Sequence, residues 1–169
     1  DPELSDIDYY SLQIKEDENL PLIYARTGYT GEDGYEISVP NRHAEALARL
    51  LLSQDAVAPI GLGARDSLRL EMGYPLYGHD IDSKTSPIEA DLAWVMGKDN
   101  TGFIGAERIL DQLDNGANRK RVGLLPEGRA PMRGGVELFA TAEGGEPVGT
   151  VTSGAFGPTI EGPMAMGYV

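Results

Sequence analysis

The stretch from Arg26 to Pro40, RTGYTGEDGYEISVP, limits what this chain can fold into more than any other. Before it, Leu22 to Arg26 (LIYAR) is an apolar, β-prone run; at its end, Tyr35 to Val39 (YEISV) alternates large apolar residues with polar ones. Gly28, Gly31 and Gly34 stand between the two runs, among Thr and acidic residues. The pattern predicts two strands joined by a Gly-rich loop. Residues without a Cβ let such a loop take positive φ or press close to another group. In a strand, Tyr35, Ile37 and Val39 share one face, and Glu36 and Ser38 take the other. Glu36 is then a carboxylate on a stiff element beside a loop, a mount suited to meeting a ligand. A solvent-facing Glu on a half-buried strand has the same spacing, and spacing alone favours that plainer reading.

The rest of the chain supplies elements around this loop. Tyr9 to Ile14 reads as a strand and Lys15 to Asn19 as a turn. Asn41 is placed to cap a helix over Arg42 to Leu52, where Leu47, Leu50 and Leu51 recur at helical spacing. Ala64 to Met72 is a second helix, stopped by Gly73. Arg65 falls in its first turn, where a cation opposes the helix dipole at about 0.3–1 kcal/mol; local violations of this kind are tolerated where function demands them. Pairing with Asp66 or a neighbouring strand is the bland alternative for Arg65. Tyr74 to Lys84 is a loop in which Asp80 and Asp82 lack calcium-loop spacing and His79 lacks a partner ligand, so no metal site is expected. Ser86-Pro87-Ile88-Glu89 is a capping box, leading to Trp94, expected in the core, and then to a short helix over Gly105 to Leu113. Short β-prone runs follow at 121–125, 136–140 and 148–152, with a hairpin turn at Glu143 to Glu146 and Gly/Pro breaks at 126–131 and 154–163. They predict a small antiparallel barrel or sandwich, and the last strand pattern is still running where the chain ends.

Charge marks a boundary between these halves. Of the 169 residues, 1–118 carry 9 basic and 22 acidic side chains, whereas 119–169 carry 5 of each. The step falls at the turn-rich Asp114 to Asn118, which predicts one domain over 1–117 and another over 118–169. The net charge of −13 disfavours nucleic acid as a partner, because phosphate binding needs clustered Lys and Arg. An anionic small molecule has to be met by local cations. No apolar run approaches the roughly 18 residues of a membrane span. The absence of Cys excludes disulfides, thiolate metal sites and a Cys nucleophile. A cytosolic setting fits this composition.

RTGYTGEDGYEI resembles a signature of the T-protein family of the glycine cleavage system, the tetrahydrofolate-dependent aminomethyltransferases. Four further blocks agree in the family's order: Gly61 to Asp82 (GLGARDSLRLEMGYPLYGHDID), Thr85 to Lys98 (TSPIEADLAWVMGK), Phe103 to Glu107 (FIGAE), and Val148 to Gly154 with Ala165 to Val169. His79 departs from the residue expected in the family's L-Y-G-N-D pattern.

The resemblance implies an α+β fold. Its first part is a ferredoxin-like portion of a folate-binding domain, an antiparallel sheet with helices, and part of a small antiparallel β-barrel follows. It implies transfer of an aminomethyl carbon from the lipoyl arm of H protein to tetrahydrofolate, with release of ammonia, in the cytoplasm or the mitochondrial matrix. Tetrahydrofolate is the acceptor and lipoylated H protein the partner; neither nucleic acid nor a membrane is implied. Glu36 takes the position of the family's pterin-binding Glu, and Arg65 that of a folate-contacting Arg. A carboxylate accepts parallel N–H bonds and a guanidinium forks onto carboxylates, so Arg65 is also expected to hold Glu36 ionised and aimed. The family's catalytic Asp lies upstream of the matched residues, which implies a partial chain, inactive alone, that holds no catalytic residue itself. Two other readings are a related folate-dependent demethylase or dimethylglycine/sarcosine dehydrogenase folate domain, and a non-enzymatic acidic interaction module.

Overall fold

A computed structural model describes residues 7–8, 12–15, 22–97 and 99–169. The architecture is mixed α+β with antiparallel sheets, and the chain divides into two compact units, Asp1–Arg65 and Asp66–Val169.

In the first unit the alternating runs pair as expected. Strands β1 (Leu12–Lys15), β2 (Leu22–Ala25) and β3 (Glu36–Ser38) form an antiparallel sheet in that order. The earlier residues of the expected first strand, 9–11, and the expected turn over 16–19 lie outside the described residues. Helix α1 spans Asn41–Leu52. Its cap is Pro40 rather than Asn41: Pro40 has φ −55 and ψ 140, and no side chain bonds the first turn. The ring presets φ and its missing N–H costs nothing at a helix start, so the helix begins one residue early. None of the α1 residues is buried, and Leu50, Leu51 and Leu52 remain exposed. Helix α2 (Leu62–Glu71) carries the boundary between the units. It ends where Gly73, at φ 72, turns the chain so that the Gly73 and Tyr74 N–H groups donate to Leu70 and Arg69 carbonyls.

The second unit is built on β4 (Arg121–Leu124), β5 (Glu137–Phe139), β6 (Pro147–Gly157) and β7 (Gly162–Tyr168), antiparallel in the order β4-β7-β6-β5. Strand β7 lies between two partners, and all its residues after Gly162 are buried. Met164 and Met166 from it join Leu70 of α2 in an apolar cluster, with Ala155 against it. The sequence pattern places a Gly/Pro break over 154–163, yet β6 runs unbroken to Gly157. Gly154 continues the ladder opposite Ala165 because the Met132 carbonyl occupies the place a Cβ would take.

Two expectations in the middle of the chain change. Ser86 caps as expected, its Oγ accepting from the Glu89 N–H at 3.0 Å, but the following turn is short and only a 3₁₀ turn over Ala93–Val95 comes after it. Trp94 therefore points outward, 69% exposed, and is not core. Helix α3 (Ala106–Asn115) covers the expected helical run.

Charges buried in this unit are consumed by folding. Arg69, 2% exposed, donates to Asp80 at 2.6 Å, to Asp66 at 2.8 Å and to Ser153 at 2.9 Å. Asp80 also accepts from Thr152 and from the Leu76 N–H, and Tyr168 donates to its backbone carbonyl. Glu89 accepts from Arg108, Gln112 and Arg119. Burial raises its pKa, but hydrogen bonds from Gln112, Arg108 and Arg119 outweigh burial and hold the carboxyl below its ordinary value.

Candidate functional site

The loop between β2 and β3 is closed by its own side chains. Arg26, just past β2, forks onto Asp33: Nε reaches Oδ1 and Nη2 reaches Oδ2, both at 2.8 Å. The Arg26 Nη1 donates to the Ile7 carbonyl at 3.0 Å. Within the ring so formed, the Glu32 N–H donates to the Thr30 hydroxyl at 3.2 Å, a local turn of the kind Thr favours. Only one of the three loop glycines has a steric requirement: Gly31 sits at φ 76, while a Cβ on Gly28 or Gly34 would meet nothing within 4 Å. The expectation that all three are free for special backbone thus narrows to Gly31.

Glu36 is the first residue of β3, opposite Ala25, which is itself opposite Leu12. In an antiparallel sheet directly paired residues share a face. Glu36 and Ser38 therefore sit with Leu12, Ile14, Ile23 and Ala25, while Ile37 sits with Tyr24 on the other side. Glu36 is exposed, and Leu12 and Ile14 are also open, at 59% and 61%. The sequence alternation is right, but the face it assigns to Glu36 is more apolar than the local pattern implies, because its neighbours come from other strands. An exposed carboxylate at the edge of an open apolar face suits a flat ligand with a polar rim.

Arg65 is only partly buried, in the first turn of α2. Its guanidinium lies over the Tyr29 ring, 4.8 Å from the centroid. Asp66, offered by sequence as its partner, pairs with Arg69 instead. Among the described residues no ion pair joins Arg65 to Glu36, so Arg65 does not hold Glu36 directly. What compensates a cation in the first helical turn is an aromatic face, worth about 0.5–1 kcal/mol at an exposed site. The connection between the two predicted residues is the loop: Glu36 opens the strand that leaves it, and Arg65 rests on Tyr29 within it. Sequence reasoning missed Tyr29 and the Arg26–Asp33 fork. The signal available was an opposite-charge pair bracketing a Gly-rich loop, with one aromatic between.

No group of acidic or His side chains suited to a metal occurs among the described residues. His79 is exposed. Two concavities of the second unit lie elsewhere: one of about 390 Å³ beside Arg119, Thr150 and Tyr168, and an apolar one of about 310 Å³ beside Val95, Phe103 and Ile109. No described helix is long and apolar enough to cross a membrane.

Comparison with known proteins bears on this arrangement. Residues 1–100 match the GCVT N-terminal domain, and residues 119–169 match the glycine cleavage T-protein C-terminal barrel domain. A probable mitochondrial aminomethyltransferase of Schizosaccharomyces pombe is 48% identical over 153 residues, 89% of this chain and 38% of that protein. An aminomethyltransferase of Synechococcus is 48% identical over 150 residues, 88% of this chain and 41% of that protein. The crystal structure of glycine cleavage system aminomethyltransferase T from Bartonella henselae superposes with a TM-score of 0.89 at 45% identity, covering 98% of this chain and 45% of that one. The chain therefore spans less than half the length of these relatives.

Proposed function

Because the chain belongs to the glycine cleavage T-protein family, we propose that it supplies part of the folate-binding wall of an aminomethyltransferase. The whole reaction moves an aminomethyl carbon from the lipoyl arm of H protein to tetrahydrofolate, with ammonia leaving. In this reading Glu36 accepts N–H bonds from the pterin edge and Arg65 supplies the local cation that a strongly acidic chain needs before it meets an anion. Residues 1–117 form part of the folate-binding domain and 118–169 the start of the barrel. The carboxylate that manages protons near the folate N5 belongs to the part of the family pattern that precedes these residues. Mitochondrial placement follows if the source is eukaryotic, as for the S. pombe relative, and cytoplasmic placement otherwise.

The observation that carries the reading is an accessible carboxylate and an accessible guanidinium tied to one clamped loop, next to an open apolar sheet face. Neither charge is spent on an ion pair among the described residues, in contrast to Arg69, Asp80 and Glu89. Calorimetric titration of tetrahydrofolate into the intact protein tests it. Glu36→Ala and Arg65→Ala are each expected to weaken binding about tenfold or more, the worth of a hydrogen bond to a charged group. Unchanged affinity in both variants removes the site and favours the acidic interaction module.

A further inference from the structure

We propose that Tyr29 is a positioning residue for Arg65, and that the Arg26–Asp33 fork holds Tyr29 in place; the inference rests on Arg65 being a folate contact. A guanidinium on an accessible helical turn has many rotamers, and ordering it on binding costs affinity. Here one rotamer already rests on an aromatic face 4.8 Å away. Tyr29 is partly buried, and it lies between the two residues that close the loop. The closure is bidentate, the geometry that an Arg fork and a carboxylate fix best. Arg26 is the more enclosed member, with 22% of its side chain exposed against 55% for Asp33, and its third bond to the Ile7 carbonyl anchors it to the chain before the sheet. The order of support is therefore Ile7 to Arg26, Arg26 to Asp33, loop to Tyr29, and Tyr29 to Arg65. The loop that delivers Glu36 to its strand is the same loop that orients Arg65, so a single clamp serves both ends of the proposed site.

The test is tetrahydrofolate titration of the intact protein, with thermal melting of each variant as the check on folding. Tyr29→Phe keeps the ring and is expected to bind within about twofold of the parent, while Tyr29→Leu removes the face and is expected to bind about three- to tenfold more weakly. Tyr29→Phe binding as weakly as Tyr29→Leu overturns the inference, because the hydroxyl and not the ring face would then be operative. Tyr29→Leu binding like the parent while Arg65→Ala binds weakly also overturns it, and leaves the folate site standing. Arg65→Ala binding like the parent removes the site, and the inference with it. If Tyr29→Leu fails to fold, Asp33→Asn replaces it: loosening this exposed clamp is expected to weaken binding about two- to fivefold, and unchanged affinity counts against the clamp.

Discussion

The two units use charge in opposite ways. In Asp66–Val169, ionic groups are saturated with partners far away in sequence: Arg69 reaches Ser153, Asp80 reaches Thr152, and Glu71 accepts from the Thr159 N–H and hydroxyl. In Asp1–Arg65 the ion pairs are short-range, Arg26 with Asp33 and Arg49 with Glu45, while Glu36 and Arg65 stay open to solvent. A buried charge has to be paired to be tolerated, so its partners reveal what the fold needs. An accessible charge without an ionic partner contributes little to folding, so its position reflects something else. The contrast separates structural from functional charge without reference to any relative.

The largest test of that contrast is Asp80→Ala. It leaves the Arg69 guanidinium buried without its main counter-charge, and a loss of about 3–5 kcal/mol is expected in urea unfolding. Next is Glu89→Gln. Its partners Arg108 and Arg119 are half-exposed and can return to water, so about 1–2 kcal/mol is expected. Acid stability follows from the same group. Glu71, Asp82 and Glu89 all have folded pKa values below their ordinary ones. For Glu71 and Glu89 burial pulls the other way and hydrogen bonds overcome it; for Asp82 the Lys84 N–H leads the lowering. Their contribution is complete above the ordinary carboxylate range and is lost as pH falls through the lowered folded values. The urea midpoint is expected to fall below about pH 4, and Glu89→Gln to flatten that decline; a parallel curve would deny Glu89 its share.

The smallest expected effects lie in the first unit. Arg65→Ala is expected to cost about 0.5–1 kcal/mol through the lost ring contact. Glu36→Ala is expected to shift stability by no more than about 0.5 kcal/mol, as for exposed residues generally. A loss at Glu36 as large as that at Asp80 would erase the distinction between the units.

Much of the fold was legible because it depends on short-range rules. Alternation located β2 and β3, helical spacing located α1 and α3, and Gly73 and the Gly144–Gly145 turn stopped elements where positive φ was needed. Errors came where a local signal competed with a distant partner. Trp94 has the size of a core residue, but the turn at 93–95 is too short to bury it. The Gly/Pro run after Gly154 has the composition of a break, but the adjoining Met132 backbone requires the glycine inside a strand. Glu89 has the spacing to complete its own capping box, and its carboxylate goes to Arg108, Gln112 and Arg119.

The candidate site divides the same way. Glu36 and Arg65 were identified from sequence through their motif blocks, and their elements were placed correctly. The sequence by itself determined the strand–loop–strand unit, the helix limits to within a residue or two and the family, because backbone preference and apolar spacing act over a few residues. The tertiary structure alone decided which charges are spent: that Arg69 takes Asp66, that Asp80 is enclosed, and that Arg65 finds an aromatic ring and not Glu36. Partner choice depends on which side chains arrive at hydrogen-bonding distance after the chain has folded, and residues separated by 72 or 84 positions leave no local mark of that meeting.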